Sequence, residues 1–208
     1  MHYITFLRHG ESTGNADNLI QGQADMPLTE KGLRQASNLA RYWQLSGAQF
    51  DLIIASPLLR ARQTAASVAN ELSLQVVYDE AWMERSFGAI DGKAYSKVMS
   101  RNPPPDFTSP HHPPDPDGES LLDTFQRAGH ALQKILRRPD GRYLVVSHGA
   151  ILNMTMYAVL GLNPLGAPKS PRFVFNNTSY LDLSFNAEIN QWRILGFTDP
   201  NLTHCKDA

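Results

Sequence analysis

The chain has 208 residues, 42% of them hydrophobic, with 19 lysines and arginines set against 20 aspartates and glutamates. That length suits one domain with a sizeable core, and a formal net charge of -1 offers no broad basic surface for nucleic acid or an anionic membrane. No apolar run is long enough to span a bilayer, no secretory pattern precedes Tyr3, and the lone cysteine, Cys205, has no intrachain partner, so the expected compartment is a reducing cytoplasm.

The apolar run Tyr3–Phe6 reads as a buried strand, and Arg8-His9-Gly10-Glu11-Ser12 follows it directly. Leu33, Ala36, Ala40 and Trp43 then recur at helical spacing and are expected in the core. Leu52–Ala55 reads as a second strand ending in Ser56-Pro57, with Ser56 the expected N-cap and Pro57 the first helical residue. Arg60 then falls in the first turn of a helix whose apolar stripe is Ala61, Ala65, Val68 and Leu72. Glu84 sits in Trp82-Met83-Glu84-Arg85-Ser86-Phe87-Gly88, where the residues alone favour a surface pairing with Arg85 or Lys93. Gly88–Ala94 is one residue short of a phosphate-binding loop and lacks its hydroxyl residue, so it is not read as one.

Between Asn102 and Gly118 the composition changes. Pro103, Pro104, Pro105, Pro110, Pro113, Pro114 and Pro116 are seven of the chain's 14 prolines, and they deny the segment regular hydrogen bonding. His111, His112, Asp115 and Asp117 lie in it without metal-ligand spacing, so no metal site is expected. A helical stripe of Phe125, Ala128, Leu132 and Ile135 follows, then the apolar run Tyr143–Val146, which ends in Ser147-His148-Gly149 and leads into a helix-like stretch. Glycosylation-type sequons at Asn176, Asn177 and Asn201 carry no weight without an export signal. Tyr180–Phe185 and Trp192–Phe197 alternate about a polar turn, as an antiparallel pair does.

Strands alternating with helices predict a three-layer α/β/α sandwich: a mainly parallel central sheet, covered on both faces, with an antiparallel C-terminal strand pair. Neither an internal repeat nor a linker divides residues 1–208. In such a sheet the strand ends after residues 7, 55 and 146 deliver Arg8, His9, Arg60 and His148 to one crevice. A cluster of cationic groups of this kind is costly when empty, and a phosphoryl dianion is the natural compensating ligand.

In this order the motifs resemble the histidine phosphatase superfamily, also called phosphoglycerate mutase-like: Arg8-His9-Gly10-Glu11-Ser12-Thr13 with Asn15, Gln21-Gly22, Pro27-Leu28-Thr29-Glu30-Lys31-Gly32, Ser56-Pro57-Leu58 with Arg60, Glu84 with Phe87-Gly88, Gly118-Glu119-Ser120, and Ser147-His148-Gly149. The resemblance implies that His9 is the nucleophile, that Arg8, Arg60 and His148 hold the oxygens of the transferring group, and that Glu84 is the general acid. It also implies that Asn15, Gln21 and Gly149 bind substrate, and that no metal or other cofactor is used. The substrate is expected to be a small phosphorylated molecule, with inorganic phosphate as product, and the proline-rich stretch at about 95–118 is expected to cover the pocket as a lid. Neighbouring cations should keep His9 neutral near pH 7. Phosphatase is favoured over cofactor-dependent phosphoglycerate mutase, because Arg101 stands without the tandem arginine of the mutases. A non-catalytic phospho-ligand binder is the third alternative. Oligomeric state is not readable from the residues.

Overall fold

The computed structural model describes residues 1–166 and 171–200; Cys205 and the Asn201 sequon lie outside the described residues. Among the described residues eight strands form a six-stranded sheet and a small two-stranded one. In the large sheet, β1 (His2–Arg8) and β3 (Leu52–Ala55) flank β6 (Gly141–Ser147), and all three run parallel. Beyond β3 lies β4 (Val76–Tyr78), also parallel. Beyond β1 lie β7 (Tyr180–Asn186) and β8 (Gln191–Thr198), which pair antiparallel, with β7 also antiparallel to β1. The predicted sheet and its C-terminal pair are both present. The small sheet joins β2 (Leu19–Ile20) to β5 (Lys93–Ala94).

The period of two along each central strand divides the core. Ile4 and Phe6 of β1, Ile54 of β3 and Val145 of β6 face one layer. Leu7, Ile53, Ala55, Leu144 and Val146 face the other. The first layer is closed by α5 (Leu121–Leu136) and α6 (Gly149–Leu160), with Trp82 fully buried against Phe6 at 5.7 Å between ring centroids. Truncating a core ring of this size typically costs about 3–5 kcal/mol. The second layer is closed by α2 (Glu30–Ser46) and α3 (Leu59–Leu72).

Three local expectations are corrected. α3 begins two residues later than Ser56-Pro57 suggests, with Leu58 at the N-cap; the Ser56 hydroxyl accepts the Leu58 N–H at 3.3 Å, in a turn ahead of the helix, and also meets His148 at the site described below. The Leu59 N–H is satisfied by Asp25 Oδ1 at 2.5 Å instead. Leu33 is 42% exposed, and the buried stripe of α2 is Ala36, Leu39, Ala40 and Trp43, since Gly32 and not Leu33 faces inward at the first turn. The proline-rich stretch opens as a short helix, α4 (Tyr95–Met99), before it becomes irregular. It packs its own small core, in which Ile20, Ile90 and Val98 are buried beside Phe87 and Phe107. No described helix is long and apolar enough to cross a membrane.

Candidate active site

Because β6 pairs with both neighbours in parallel register, with Arg8 opposite Ser147 and Ala55 opposite Val146, the chain leaves three adjacent strands at one edge. There His9 N–H donates to the Ser147 carbonyl at 3.0 Å, and Ser56 N–H donates to the Val146 carbonyl at 3.0 Å. His9 and His148 therefore face each other with ring centroids 5.1 Å apart, both buried. This is the crevice beyond the carboxyl ends of parallel strands, where open α/β sheets bind ligands.

The loop after β1 is fixed by close glycine packing. A Cβ on Gly10 would come within 2.6 Å of the Gly32 carbonyl oxygen, so the start of α2 docks directly on the chain behind His9. Thr29 caps α2 by accepting the Gly32 N–H at 3.0 Å, and Lys31 pairs with Glu11 at 2.7 Å. The Thr29–Gly32 motif thus positions His9 without touching it.

His9 Nδ1 lies 2.7 Å from the Gly10 carbonyl oxygen. A carbonyl can only accept, so Nδ1 carries the proton and Nε2 presents its lone pair. Burial, and then the charges of Arg60 and Arg8, push the imidazole well below its ordinary pKa. The ring is neutral at pH 7, which agrees with the reading from sequence.

Arg60, 1% exposed, is held at three nitrogens. Nε donates to His148 Nδ1 at 3.2 Å, Nη1 to the Ala24 carbonyl at 2.9 Å and Nη2 to the Gly22 carbonyl at 2.7 Å. Two of its five N–H groups remain. Burial lowers its pKa to about 10, so it stays charged at neutral pH. Since arginine cannot accept, His148 Nδ1 is the acceptor, and Nε2–H donates to Ser56 Oγ at 2.8 Å. Both His148 nitrogens are engaged with protein. The ring holds Arg60, and it meets a phosphoryl oxygen only by releasing Arg60 or Ser56. Gly22 adopts φ +47°, and a Cβ there would collide with the Asp91 carboxylate, so the carbonyl that anchors Arg60 depends on glycine.

Arg8 Nη1 donates to the Phe175 carbonyl at 2.6 Å, while Nε is buried with no hydrogen-bond partner. An unsatisfied buried guanidinium N–H is costly, and an anion beside it would remove that cost. Gly149 begins α6 beside it: a Cβ at that position would rest 3.9 Å from Arg8 Nε. Glu84 lies across the same helix terminus, where its carboxylate accepts the Ala150 and Ile151 N–H groups at 3.1 Å. Its carboxylate meets Arg85 at that residue's backbone N–H, at 2.9 Å, where a surface ion pair of the two side chains was expected.

Reading the sequence missed the clamp that holds Glu84. Arg127, from α5, donates to the carbonyls of Met83 at 2.6 Å and Glu84 at 3.1 Å, and pairs with Glu119 at 2.6 Å. Glu119 also accepts the Ser86 N–H at 2.9 Å. Gly118-Glu119-Ser120 therefore works as a brace for the Glu84 loop, and Ser120 caps α5. The only signal for Arg127 was its helical register behind Glu119.

Asn15 and Gln21 converge on Ser12, whose hydroxyl oxygen lies 2.9 Å from Asn15 Oδ1 and 2.6 Å from Gln21 Oε1, so its single proton serves one of the two at a time. Asn177 joins this group, its amide reaching the His9 carbonyl at 3.0 Å and Asn15 Oδ1 at 3.1 Å. Its sequon had concealed that role. Asp115, in the histidine-bearing loop, serves the Ala89 and Asp117 N–H groups; among the described residues no three histidine, cysteine or acidic side chains gather as for a metal. From Arg8 and Gly149 a cavity of about 580 Å³ extends outward between Phe107 and Phe173, within the range of small-molecule sites.

Known proteins resemble this chain over most of its length. The chain is 34% identical to a probable phosphoglycerate mutase GpmB of Enterobacter sp. (strain 638) over 166 residues, covering 78% of this chain and 76% of that one. It is 29% identical to an uncharacterized phosphatase PhoE of Bacillus subtilis (strain 168), with 93% of each chain covered. A crystal structure of a mutant phosphoserine phosphatase from Entamoeba histolytica, in complex with phosphoserine, superposes with a TM-score of 0.77 at 25% identity, covering 95% of this chain and 96% of that one. The profile of the histidine phosphatase superfamily (branch 1) matches residues 4–200, and the chain belongs to that superfamily.

Proposed function

We propose that the protein is a metal-independent phosphomonoester hydrolase that works through a phosphohistidine on a small phosphorylated metabolite. The observation that carries this reading is His9, a neutral imidazole with its proton held on Nδ1 by Gly10 and its Nε2 lone pair available among guanidinium groups. Phosphoryl transfer asks chiefly for positioning and charge neutralisation, which fixed arginines supply.

In the first step His9 Nε2 attacks phosphorus, the bond from phosphorus to the alcohol oxygen breaks, and Glu84 gives that oxygen its proton. Arg8, through its unpartnered Nε, and Arg60, through its two remaining N–H groups, take the equatorial oxygens. His148 keeps Arg60 aimed, and the first N–H groups of α6 add partial positive charge. In the second step Glu84 takes a proton from water, the oxygen attacks phosphorus, and the P–N bond breaks. Inorganic phosphate leaves and the His9 lone pair returns. Asn15, Gln21 and Asn177 support the loop between His9 and the phosphoryl site.

The test is a phosphomonoester panel in chelator, run alongside 3-phosphoglycerate primed with 2,3-bisphosphoglycerate, with acid quenching to trap the phosphoenzyme. Phosphate release and an acid-labile phosphoenzyme are expected from the wild type, and neither from His9→Ala. Isomerisation without phosphate release replaces hydrolysis by mutase activity, the reading favoured by the GpmB relatives. Phosphate binding with no turnover of any ester leaves a binding protein.

A further inference from the structure

The cavity is far larger than a phosphoryl group needs, and hydrogen bonds already hold its two walls. One wall is the segment 171–177. Tyr157 Oη donates to the Pro171 carbonyl at 2.9 Å, Phe173 N–H to Asn153 Oδ1 at 2.8 Å, and Arg8 Nη1 to the Phe175 carbonyl at 2.6 Å. The other wall is the proline-rich segment. There Arg85 Nη1 donates to the Phe107 carbonyl at 2.9 Å, and Leu122 N–H to the Pro110 carbonyl at 3.0 Å.

Aromatic rings cover both walls. Phe107 meets Phe87 edge-on at 5.4 Å, and Phe173 meets Tyr157 edge-on at 6.4 Å. All four line the cavity, and Phe87, Phe107 and Phe173 are half-buried. Met154 and Leu121 extend the apolar surface between them. The charged groups in the lining are Arg8, Arg85 and Arg172, and among the described residues no carboxylate lines it. Such a space is a poor match for a short polar alcohol, which leaves the rings wet, and a worse one for an alcohol bearing an ammonium group, which meets arginines without a counter-charge.

We propose that this cavity selects phosphomonoesters of bulky apolar alcohols, above all those carrying an aromatic ring, over phosphoserine- or phosphoglycerate-sized esters. The inference rests on the hydrolase reading for its turnover arm alone. The alcohol's ring lies between Phe107 and Phe173, while its phosphoryl group rests against Arg8 and the start of α6. Prearranged walls lower the ordering cost of binding, so the selectivity belongs to the free protein and does not await closure.

The experiment compares 2-phenylethyl phosphate with ethyl phosphate, whose alcohols are of similar acidity, so the demand on Glu84 is matched and only the ring differs. Phosphoserine and 3-phosphoglycerate complete the set. A kcat/KM ratio of at least about 30 in favour of the phenylethyl ester is expected. It should fall below about 5 in Phe107→Ala and in Phe173→Ala, with thermal melts reporting whether each variant is folded and the leucine variants used where alanine is not tolerated. In parallel, calorimetry on the wild type compares 2-phenylethylphosphonate with ethylphosphonate, which needs no turnover. If no ester is hydrolysed the hydrolase reading fails, and the phosphonate pair still decides this one. Near-equal affinities, equal kcat/KM values, preference for phosphoserine or 3-phosphoglycerate, or a ratio indifferent to both phenylalanines overturns the proposal.

Discussion

The two ends of the site, the phosphoryl centre and the cavity that opens beside Arg8 and Gly149, are built on different principles. At the phosphoryl end the charged side chains are tied to backbone groups and to one another: His9 to Gly10, Arg60 to Gly22, Ala24 and His148, Arg8 to Phe175, Glu84 to the start of α6. At the alcohol end, two irregular segments present rings, beside Arg85 and Arg172 and without a carboxylate among the described residues. The parallel sheet fixes the first end to within small tolerances, and the second can change its residues without moving a strand. Chemistry resides in the regular part of the molecule and selection in the irregular part.

The strongest way to break that division is at His9. His9→Ala removes the group that bonds to phosphorus, and kcat should fall by about 10⁴-fold or more for every ester, short or bulky. A loss confined to one class of alcohol would show that the two ends are not separate. Arg60→Lys is next. An ammonium cannot reach Gly22, Ala24 and His148 together while keeping N–H groups for phosphate, and a uniform loss of about 10²-fold in kcat/KM is expected across the ester panel.

The same division explains what was legible in the residues. The strand ends carrying His9, Arg60 and His148 could be placed because short apolar runs and the turns after them follow local rules, and the sheet then brings them together. Ser56 was read as a cap because its neighbours look like a helix start, whereas a partner 92 residues away, His148, claims its hydroxyl. The pairing of Arg127 with the Glu84 loop and the meeting of Phe107 and Phe173 in one cavity lining depend on chain returns that no local pattern encodes. Asn177 was hidden for the same reason, since only the pairing of β7 with β1 brings it to His9.

Arg127 sharpens the comparison at a smaller scale. It touches carbonyls of the Glu84 loop and the Glu119 carboxylate and so acts through Glu84. Arg127→Met should lower kcat/KM about 10- to 30-fold for alkyl esters, whose leaving oxygen needs a proton. For 4-nitrophenyl phosphate, whose leaving group needs none, the change should stay within about twofold, and Glu84→Gln should show the same pattern. Equal losses on both ester types would make Arg127 a purely structural residue.

The smallest expected effect separates the two ends by pH. His9 and His148 are both held well below the ordinary histidine pKa, first by burial and then by Arg60. In the unfolded chain the same groups titrate near pH 6.5. Above that value neither state takes up protons at these sites, so they add no pH dependence. Below it the unfolded chain binds up to two more protons than the folded one, and stability falls as pH is lowered, by up to about 1.4 kcal/mol per pH unit for each histidine. Urea unfolding in phosphate-free buffer between pH 6.5 and 5 should show this slope in the wild type and a shallower one in His148→Ala. Phe107→Ala should keep the wild-type slope, because the substitution removes no titratable group. A wild-type slope retained in His148→Ala would mean that its ring takes up a proton in the folded chain, and then the Arg60 Nε contact, which requires Nδ1 to accept, could not be the resting arrangement of the site.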